Sequence, residues 1–393
     1  MKNKVVFLIG TLSNGGAERV VSNISLNLPE KIDREILLFG EDAKIEYDYV
    51  GKLTYLDKVN LNNPMKKIAI LFQRVNRLNR IKKLNPNVPI ISFLEYPNLL
   101  NILSGNNYNS IVSVRNFMST KHKKGLKAYF WNLTVEHLYK RARKIIVVSK
   151  QMKRDLVDNY KLPEEKIKVI YNSYPINEIE ELTVEKITDE EKEIFNNPTV
   201  ITAGRLDQQK GQKHIINAFV NVKKCVPKAQ LVFLGEGILE AELKAQVKQL
   251  NVEDSVHFMG FQKNPFKYIA RSRVFVMSSY FEGFPNALSE AMACKVPVVS
   301  TDCPSGPREI LAPYEDDEQI DYDQDKERYG FLVPAFTENN KEKVENKIAE
   351  LIIELVIDKQ KNDYYSNKAY KRIKDFDINK VINKWVELIQ MNK

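Results

Sequence analysis

Ser278-Ser279-Tyr280-Phe281-Glu282-Gly283-Phe284-Pro285-Asn286-Ala287-Leu288-Ser289-Glu290-Ala291-Met292-Ala293-Cys294 is the densest passage of the chain, and it follows the β-rich run Arg273–Met277. Gly283 and Pro285 mark a tight turn. Pro285 suits the first turn of a helix, where its missing N–H costs nothing, so a helix is predicted from near Asn286. Strand, turn and helix in that order form the unit of a parallel sheet covered by helices. The first N–H groups of such a helix point into the crevice beside Glu282, and Glu290, further along, presents a second carboxylate. A carboxylate accepts hydrogen bonds from vicinal hydroxyls, as acidic residues do with ribose in dinucleotide folds. Two polyol-binding carboxylates beside an anion-binding helix end describe a nucleotide-sugar site.

The same alternation runs through the whole chain. Candidate strands in the first half are Val5–Ile9, Glu35–Phe39, Pro89–Phe93, Ser110–Val114 and Lys144–Val148; a second series comprises Thr199–Ala203, Gln230–Leu234, Ser255–Met259, Arg273–Met277 and Val296–Ser300. Between them, 176–197 is acidic and lacks a sustained apolar stripe. The expected fold is α/β, two Rossmann-like doubly wound domains facing across a cleft, with ligand at the carboxyl ends of the strands. The expected division is 1–175, a linker 176–198, a second domain 199–375, and a C-terminal helix within 376–393 that could return to the first domain.

Composition agrees with two domains. A chain of 393 residues, 43% hydrophobic, exceeds one ordinary core. It contains no run of roughly eighteen apolar residues, and Val5–Ile9 after Lys2-Asn3-Lys4 is too short for a signal peptide, so a first buried strand is expected there. Cys225, Cys294 and Cys303 form no CxxC pair, which fits three small buried hydrophobes in a reducing cytosol rather than a disulfide framework or zinc site. The net charge of +9 is lopsided: 1–175 carries 30 Lys and Arg against 15 Asp and Glu, and 176–393 carries 30 against 36. One half seeks anions. Its cations concentrate in two helical stretches, Lys66–Lys83 and Lys121–Lys144. In the second, Leu126, Tyr129, Phe130, Leu133 and Leu138 recur at helical spacing between basic flanks. A helix lying on anionic lipid and a solvated basic face above core contacts both fit that pattern.

Three further motifs bear on chemistry. Val5–Ile9 runs into Gly10-Thr11-Leu12-Ser13-Asn14-Gly15-Gly16-Ala17-Glu18-Arg19, a glycine loop at a helix N-terminus able to meet an anion or a sugar edge. Ala203 is followed by Gly204-Arg205-Leu206-Asp207-Gln208-Gln209-Lys210-Gly211, in which the Arg205 fork and the compact Lys210 charge could grip a diphosphate; a surface pair would look similar. Gly235-Glu236-Gly237-Ile238-Leu239-Glu240 matches only part of a nicotinamide-cofactor fingerprint. The acidic run 313–329, with Asp321, Asp323 and Asp325 in alternation, has few apolar anchors and no strand directly before it. It reads as a solvated surface insertion rather than a metal site.

Taken in order, these motifs resemble a known family. Glu282-x7-Glu290 within its setting, the Gly15–Arg19 loop, Gly204-Arg205 with Lys210-Gly211, Leu234–Gly237, Val256–Gly260 and Ser300–Leu311 closely resemble the glycogen-synthase-like retaining glycosyltransferases, family 4, of GT-B fold. The last segment looks most like enzymes that extend lipid-linked oligosaccharides for capsule, O-antigen or protein glycosylation. The resemblance implies a hexosyltransferase that moves a hexose or N-acetylhexosamine from a UDP-sugar, without a metal or other cofactor, to a lipid-linked or glycan acceptor. It implies that Arg205 and Lys210 neutralise the donor diphosphate, Glu290 holds the ribose hydroxyls, and Glu282 contacts donor-sugar hydroxyls near the reacting carbon. It places Gly235, His257, Phe258 and Gly260 toward the nucleobase, Phe284, Pro285, Asn286 and Ala287 over the phosphates and sugar, and Gly15 and Gly16 on the acceptor side of the diphosphate. Many relatives carry a histidine after the fourth or fifth N-domain strand; here the stretch reads Ser113-Val114-Arg115-Asn116, so Arg115 and Asn116 are expected to line the cleft without a proton-transfer role. The expected location is cytoplasmic, peripheral on the inner face of the plasma membrane, with an anionic membrane surface as partner of the basic half. The competing readings are a UDP-sugar 2-epimerase-like enzyme of the same fold and a nucleic-acid-binding protein, the second without a recognised motif.

Overall fold

The computed structural model describes residues 3–13, 15–57, 64–121, 126–314, 322 and 328–390. The chain forms two compact units, Met1–Ser173 with Ile378–Lys393, and Tyr174–Asp377. The first contains β1 (Asn3–Leu8), β2 (Ile32–Gly40), β3 (Lys52–Asp57), β4 (Ile90–Phe93), β5 (Ser110–Ser113), β6 (Lys144–Val147) and β7 (Ile167–Val169). Its sheet is ordered β3-β2-β1-β4-β5-β6-β7, every pair parallel. The second contains β8 (Thr199–Ala203), β9 (Gln230–Leu234), β10 (Val256–Phe258), β11 (Val274–Met277), β12 (Val298–Thr301) and β13 (Phe331–Val333). The order is β10-β9-β8-β11-β12-β13, again all parallel.

Both sheets are buried on two faces, which is why their central strands are continuous apolar runs rather than alternating ones. In the first unit Val5, Phe7 and Ile9 pack with the helix Gly16–Asn27, while Val6 and Leu8 pack with Leu78 and Leu100 on the other side. The C-terminal helix Ile378–Gln390 belongs to this unit. Trp385 lies 6.0 Å from Phe93, ring to ring, and Ile378, Val381, Ile382, Leu388 and Ile389 join the same core. Full burial of each such aliphatic side chain is worth roughly 1.5–3 kcal/mol, enough to hold the helix there.

Several expectations are corrected. Residues 176–198 are no linker: they form the helices Ile176–Thr183 and Asp189–Phe195 inside the second unit. Few apolar residues anchor them because polar contacts do much of the work. Thr188 and Glu191 form a capping box, Tyr268 Oη donates to Glu191 at 2.7 Å, and Arg271 donates to the carbonyls of Thr183 and Glu185. Cys294 and Cys303 are buried, but Cys225 is exposed near the end of its helix. The cations of the helix Pro64–Leu84 are not all on the surface. Arg74 is buried against Asp57 at 2.5 Å and over the Phe39 ring at 4.3 Å. Lys82, fully buried, donates to the carbonyls of Asn101 and Gly105 and to Ser110 Oγ. The side chains of Lys66, Lys67, Leu126, Tyr129 and Phe130, and the acidic positions Asp321, Asp323 and Asp325, lie outside the described residues. Among the described residues no helix is long and apolar enough to cross a membrane.

Candidate functional site

Strand order reverses between β8 and β11, so the loops leaving their carboxyl ends diverge and open a crevice. The Arg205–Lys210 loop leaves β8, and the Ser278–Pro285 loop leaves β11. Residues far apart in sequence meet there. Lys210 Nζ lies 2.7 Å from Glu282 Oε1, and Ser279 Oγ donates to the same oxygen at 2.6 Å. Both donors serve Oε1, so Oε2 has no protein partner among the described residues and keeps its capacity to accept hydroxyl protons.

Backbone bonds fix this arrangement. Asp207 caps the turn Gln208–Lys210 by accepting from Lys210 N at 3.2 Å. Tyr280 N–H donates to the Gln209 carbonyl at 2.8 Å, Gln209 Nε2 to the Phe281 carbonyl at 2.9 Å, and Ser278 Oγ to the Lys210 carbonyl at 2.9 Å. Gly211 closes the turn at φ 62°, where a Cβ would stand 2.4 Å from the Ser278 carbonyl oxygen, so no side chain fits. From the far side, the Cys303–Gly306 loop after β12 holds the turn: Glu282 N–H donates to the Pro304 carbonyl at 2.6 Å and Ser305 Oγ to the Gly283 carbonyl at 2.8 Å. Arg205 is different. Its side chain is 67% exposed, and among the described residues its guanidinium has one partner, Asp207 at 3.2 Å.

The helix begins at Asn286 and runs to Ala293, as the turn chemistry predicts. Its first N–H groups lack intrahelical acceptors. The Phe284 ring, however, turns inward and meets Phe376 edge-on at 5.1 Å, so at that position only backbone can face a ligand. Asn286 Oδ1 accepts from Tyr174 Oη at 3.0 Å; Pro285 and Glu290 are buried beside it, and Ala287 is half-buried.

Gly235 and Gly260 meet at the ends of β9 and β10, where Gly235 N–H donates to the Gly260 carbonyl at 2.7 Å. A Cβ on Gly235, at φ 127°, would stand 2.2 Å from the Gly204 carbonyl oxygen, so glycine lets the loops after β8 and β9 touch. His257 and Phe258 sit further back, within the strand. His257 Nε2 bonds Gln230 Oε1 at 2.7 Å, and burial lowers the imidazole pKa. The Phe258 ring stacks on Phe233 at 4.9 Å. These two side chains are taken up by the sheet and its edge rather than by the strand ends.

In the first unit the loop after β1 is tied down by Leu12, whose carbonyl accepts from Glu46 and Tyr47 N–H, and Gly15 caps the helix that starts at Gly16. Arg115 is buried: Nη2 donates to Asn172 Oδ1 at 2.8 Å, Nη1 to Ser113 Oγ at 3.4 Å, and the guanidinium lies 5.5 Å over Phe93. Asn116 follows it, half-buried in a bend. Among the described residues no group of three or more His, Cys, Asp or Glu gathers as a metal cradle.

Each unit matches a known family model. The model of "Glycosyl transferases group 1" matches residues 184–372, and that of "Glycosyltransferase Family 4" matches 14–178. An uncharacterized glycosyltransferase of Methanocaldococcus jannaschii is 34% identical over 92% of this chain and 90% of its own length. The chain belongs to the glycosyltransferases of group 1 and family 4. The transferase is also 32% identical to the N-acetylgalactosamine-N,N'-diacetylbacillosaminyl-diphospho-undecaprenol 4-alpha-N-acetylgalactosaminyltransferase of Campylobacter jejuni, over 95% of this chain and 96% of that one. In fold it matches Anabaena Alr3699/HepE, solved with UDP and glucose, at a TM-score of 0.75 and 19% identity over 99% of each chain. That likeness shows the GT-B architecture.

Sequence reading of the transferase singled out Lys210 and Glu282 but missed their supports. Ser279 and Asp207 carry a local signal, since each stands three residues before the group it bonds. Asn172, His214 and Glu345 carry none. Each is an isolated polar residue whose partner lies 57 to 131 positions away.

Proposed function

We propose that this chain catalyses retaining transfer of a hexose or N-acetylhexosamine from a UDP-sugar to a membrane-associated acceptor, a lipid-linked saccharide, in the assembly of a surface polysaccharide or glycan. The observation that carries the reading is the Lys210–Glu282 pair at the β8/β11 switch point, with exposed Arg205 on the same loop. Breaking the anomeric bond builds negative charge on the leaving diphosphate, and fixed cations aimed at it lower the barrier. Arg205, Lys210 and the helix end at Asn286 supply that charge, so no divalent metal is required in this mechanism. Glu282 Oε2 takes a donor-sugar hydroxyl, and Glu290 takes the ribose hydroxyls. The C1–O bond to the phosphate breaks as the acceptor oxygen bonds C1 on the same face. The acceptor proton passes to the departing phosphate oxygen, and UDP leaves. Gly235 and Gly260 bring backbone to the nucleobase.

Two observations support the acceptor and its location. The Campylobacter jejuni relative is named for transfer to a diphospho-undecaprenol-linked saccharide. On the helix Pro64–Leu84, Phe72 is 62% and Leu84 81% exposed, and the exposed Arg80 and Lys83 share their side of the helix. Apolar groups among cations suit an anionic lipid surface at the inner face of a plasma membrane. The test is UDP release from a panel of UDP-sugars in the presence of EDTA, with and without a bacterial lipid-linked saccharide extract. Acceptor-dependent release from one donor, with the anomeric configuration kept in the product, is expected. Release that needs a divalent ion would overturn the metal-free mechanism, and an inverted product would overturn retention.

A further inference from the structure

We propose that Glu345, His214 and Tyr280 form a hydrogen-bonded relay, centred on buried His214, that positions Glu282 for the donor sugar, making His214 and Glu345 positioning residues for transfer. The inference rests on the donor-site reading above. Glu345 stands on the helix Lys341–Ile357 and His214 on the helix Gln212–Cys225, while Tyr280 lies in the loop after β11. Three separate elements therefore converge on one chain of hydrogen bonds.

His214 is buried, with Nδ1 2.5 Å from Glu345 Oε1 and Nε2 2.7 Å from Tyr280 Oη. A carboxylate only accepts, so Nδ1 carries a proton, and in a neutral ring Nε2 accepts from the Tyr280 hydroxyl. Phe336 stacks on the imidazole at 3.9 Å and fixes its plane. Asn217 Nδ2 donates to the same Glu345 oxygen at 2.9 Å. The Tyr280 phenol is held above its ordinary pKa by burial and by the nearby Glu345 charge, which keeps it a donor.

The far end of this chain carries the functional meaning. Tyr280 is gripped twice, at its hydroxyl by His214 and at its amide by the Gln209 carbonyl next to Lys210. Ser279 and Glu282 lie on either side of it and bond each other at 2.6 Å. A half-buried polar chain around a buried imidazole costs desolvation and is a poor choice for packing alone. Its product here is the fixed spacing between Lys210 and Glu282.

The experiment compares wild type with Tyr280→Phe, Glu345→Gln and Glu282→Gln. Four readouts are taken: UDP affinity by calorimetry, thermal stability, amide exchange over 278–283, and turnover with the donor that releases UDP in the panel above. Tyr280→Phe keeps the ring and removes one hydroxyl. It is expected to speed exchange at 278–283 about tenfold and to lower kcat about tenfold, with UDP affinity within about twofold of wild type. Glu345→Gln, which keeps an acceptor for Nδ1, should show a smaller loss than Tyr280→Phe, and a protein carrying both Tyr280→Phe and Glu345→Gln should be no worse than Tyr280→Phe alone. Wild-type exchange and kcat in Tyr280→Phe would overturn the relay. So would a uniform fall in UDP affinity and thermal stability with kcat unchanged, the mark of packing alone. Full turnover in Glu282→Gln would instead sink the donor-site reading, while the exchange result would still judge the relay.

Discussion

The two units share a sheet architecture and a strand-order reversal, yet they use their cations in opposite ways. In the first unit Arg74, Lys82 and Arg115 are buried and satisfied by Asp57, backbone carbonyls and Asn172. Near the β8/β11 reversal Arg205 is largely exposed and Lys210 meets a carboxylate that retains an unpaired oxygen. The basic half of the sequence thus spends part of its charge on its own interior. The half with net negative charge holds Arg205 and Lys210, the cations proposed to meet a diphosphate. Net charge by segment therefore says little about where an anion binds, because it does not distinguish a cation that braces the fold from one left facing solvent.

Substitutions should separate the two classes. Arg74→Ala removes the buried cation that pairs with Asp57, so denaturant unfolding should show the first unit destabilised by about 3–5 kcal/mol, with turnover per folded molecule unchanged. Lys210→Ala should lower turnover about 10²–10³-fold, measured as UDP release, with the circular dichroism spectrum intact. Arg205→Ala should weaken UDP binding about tenfold in calorimetry while moving stability by less than about 0.5 kcal/mol. The last effect concerns pH. Burial lowers the Lys82 pKa to about 7 from an ordinary 10.5, so between these values the unfolded chain binds more protons than the folded one. Stability therefore rises with pH in that window, by at most about 1.4 kcal/mol per pH unit, and the full cost of the buried charge is present below about pH 7. Wild type should gain stability relative to Lys82→Met between about pH 7 and pH 9; parallel curves for the two proteins would remove Lys82 from the comparison.

What the sequence reveals follows the same division between local and distant causes. The strands it discloses are mostly central, where burial on both faces demands unbroken apolar runs such as Val5-Val6-Phe7-Leu8 and Val298-Val299. The strands that escape it, β3, β7 and β13, are all sheet edges. An edge strand pairs on one side only and needs less burial: Lys52-Leu53-Thr54-Tyr55-Leu56-Asp57 is half polar, and Ile167–Val169 and Phe331–Val333 have three residues each. The helices at 176–195 escape for another reason, since capping and polar contacts to 264–271 replace the apolar stripe. At the site, the turn Gly283–Pro285 and the helix start at Asn286 are legible because their causes are local. The contact between Lys210 and Glu282 spans 72 positions, and no local pattern records it.

The most direct test is a calorimetric titration of UDP, with EDTA present, into wild type, Lys210→Ala and Lys82→Met. The account requires UDP binding in wild type and Lys82→Met and at least a tenfold loss, roughly 1.4 kcal/mol, in Lys210→Ala. Equal affinity in wild type and Lys210→Ala would contradict it.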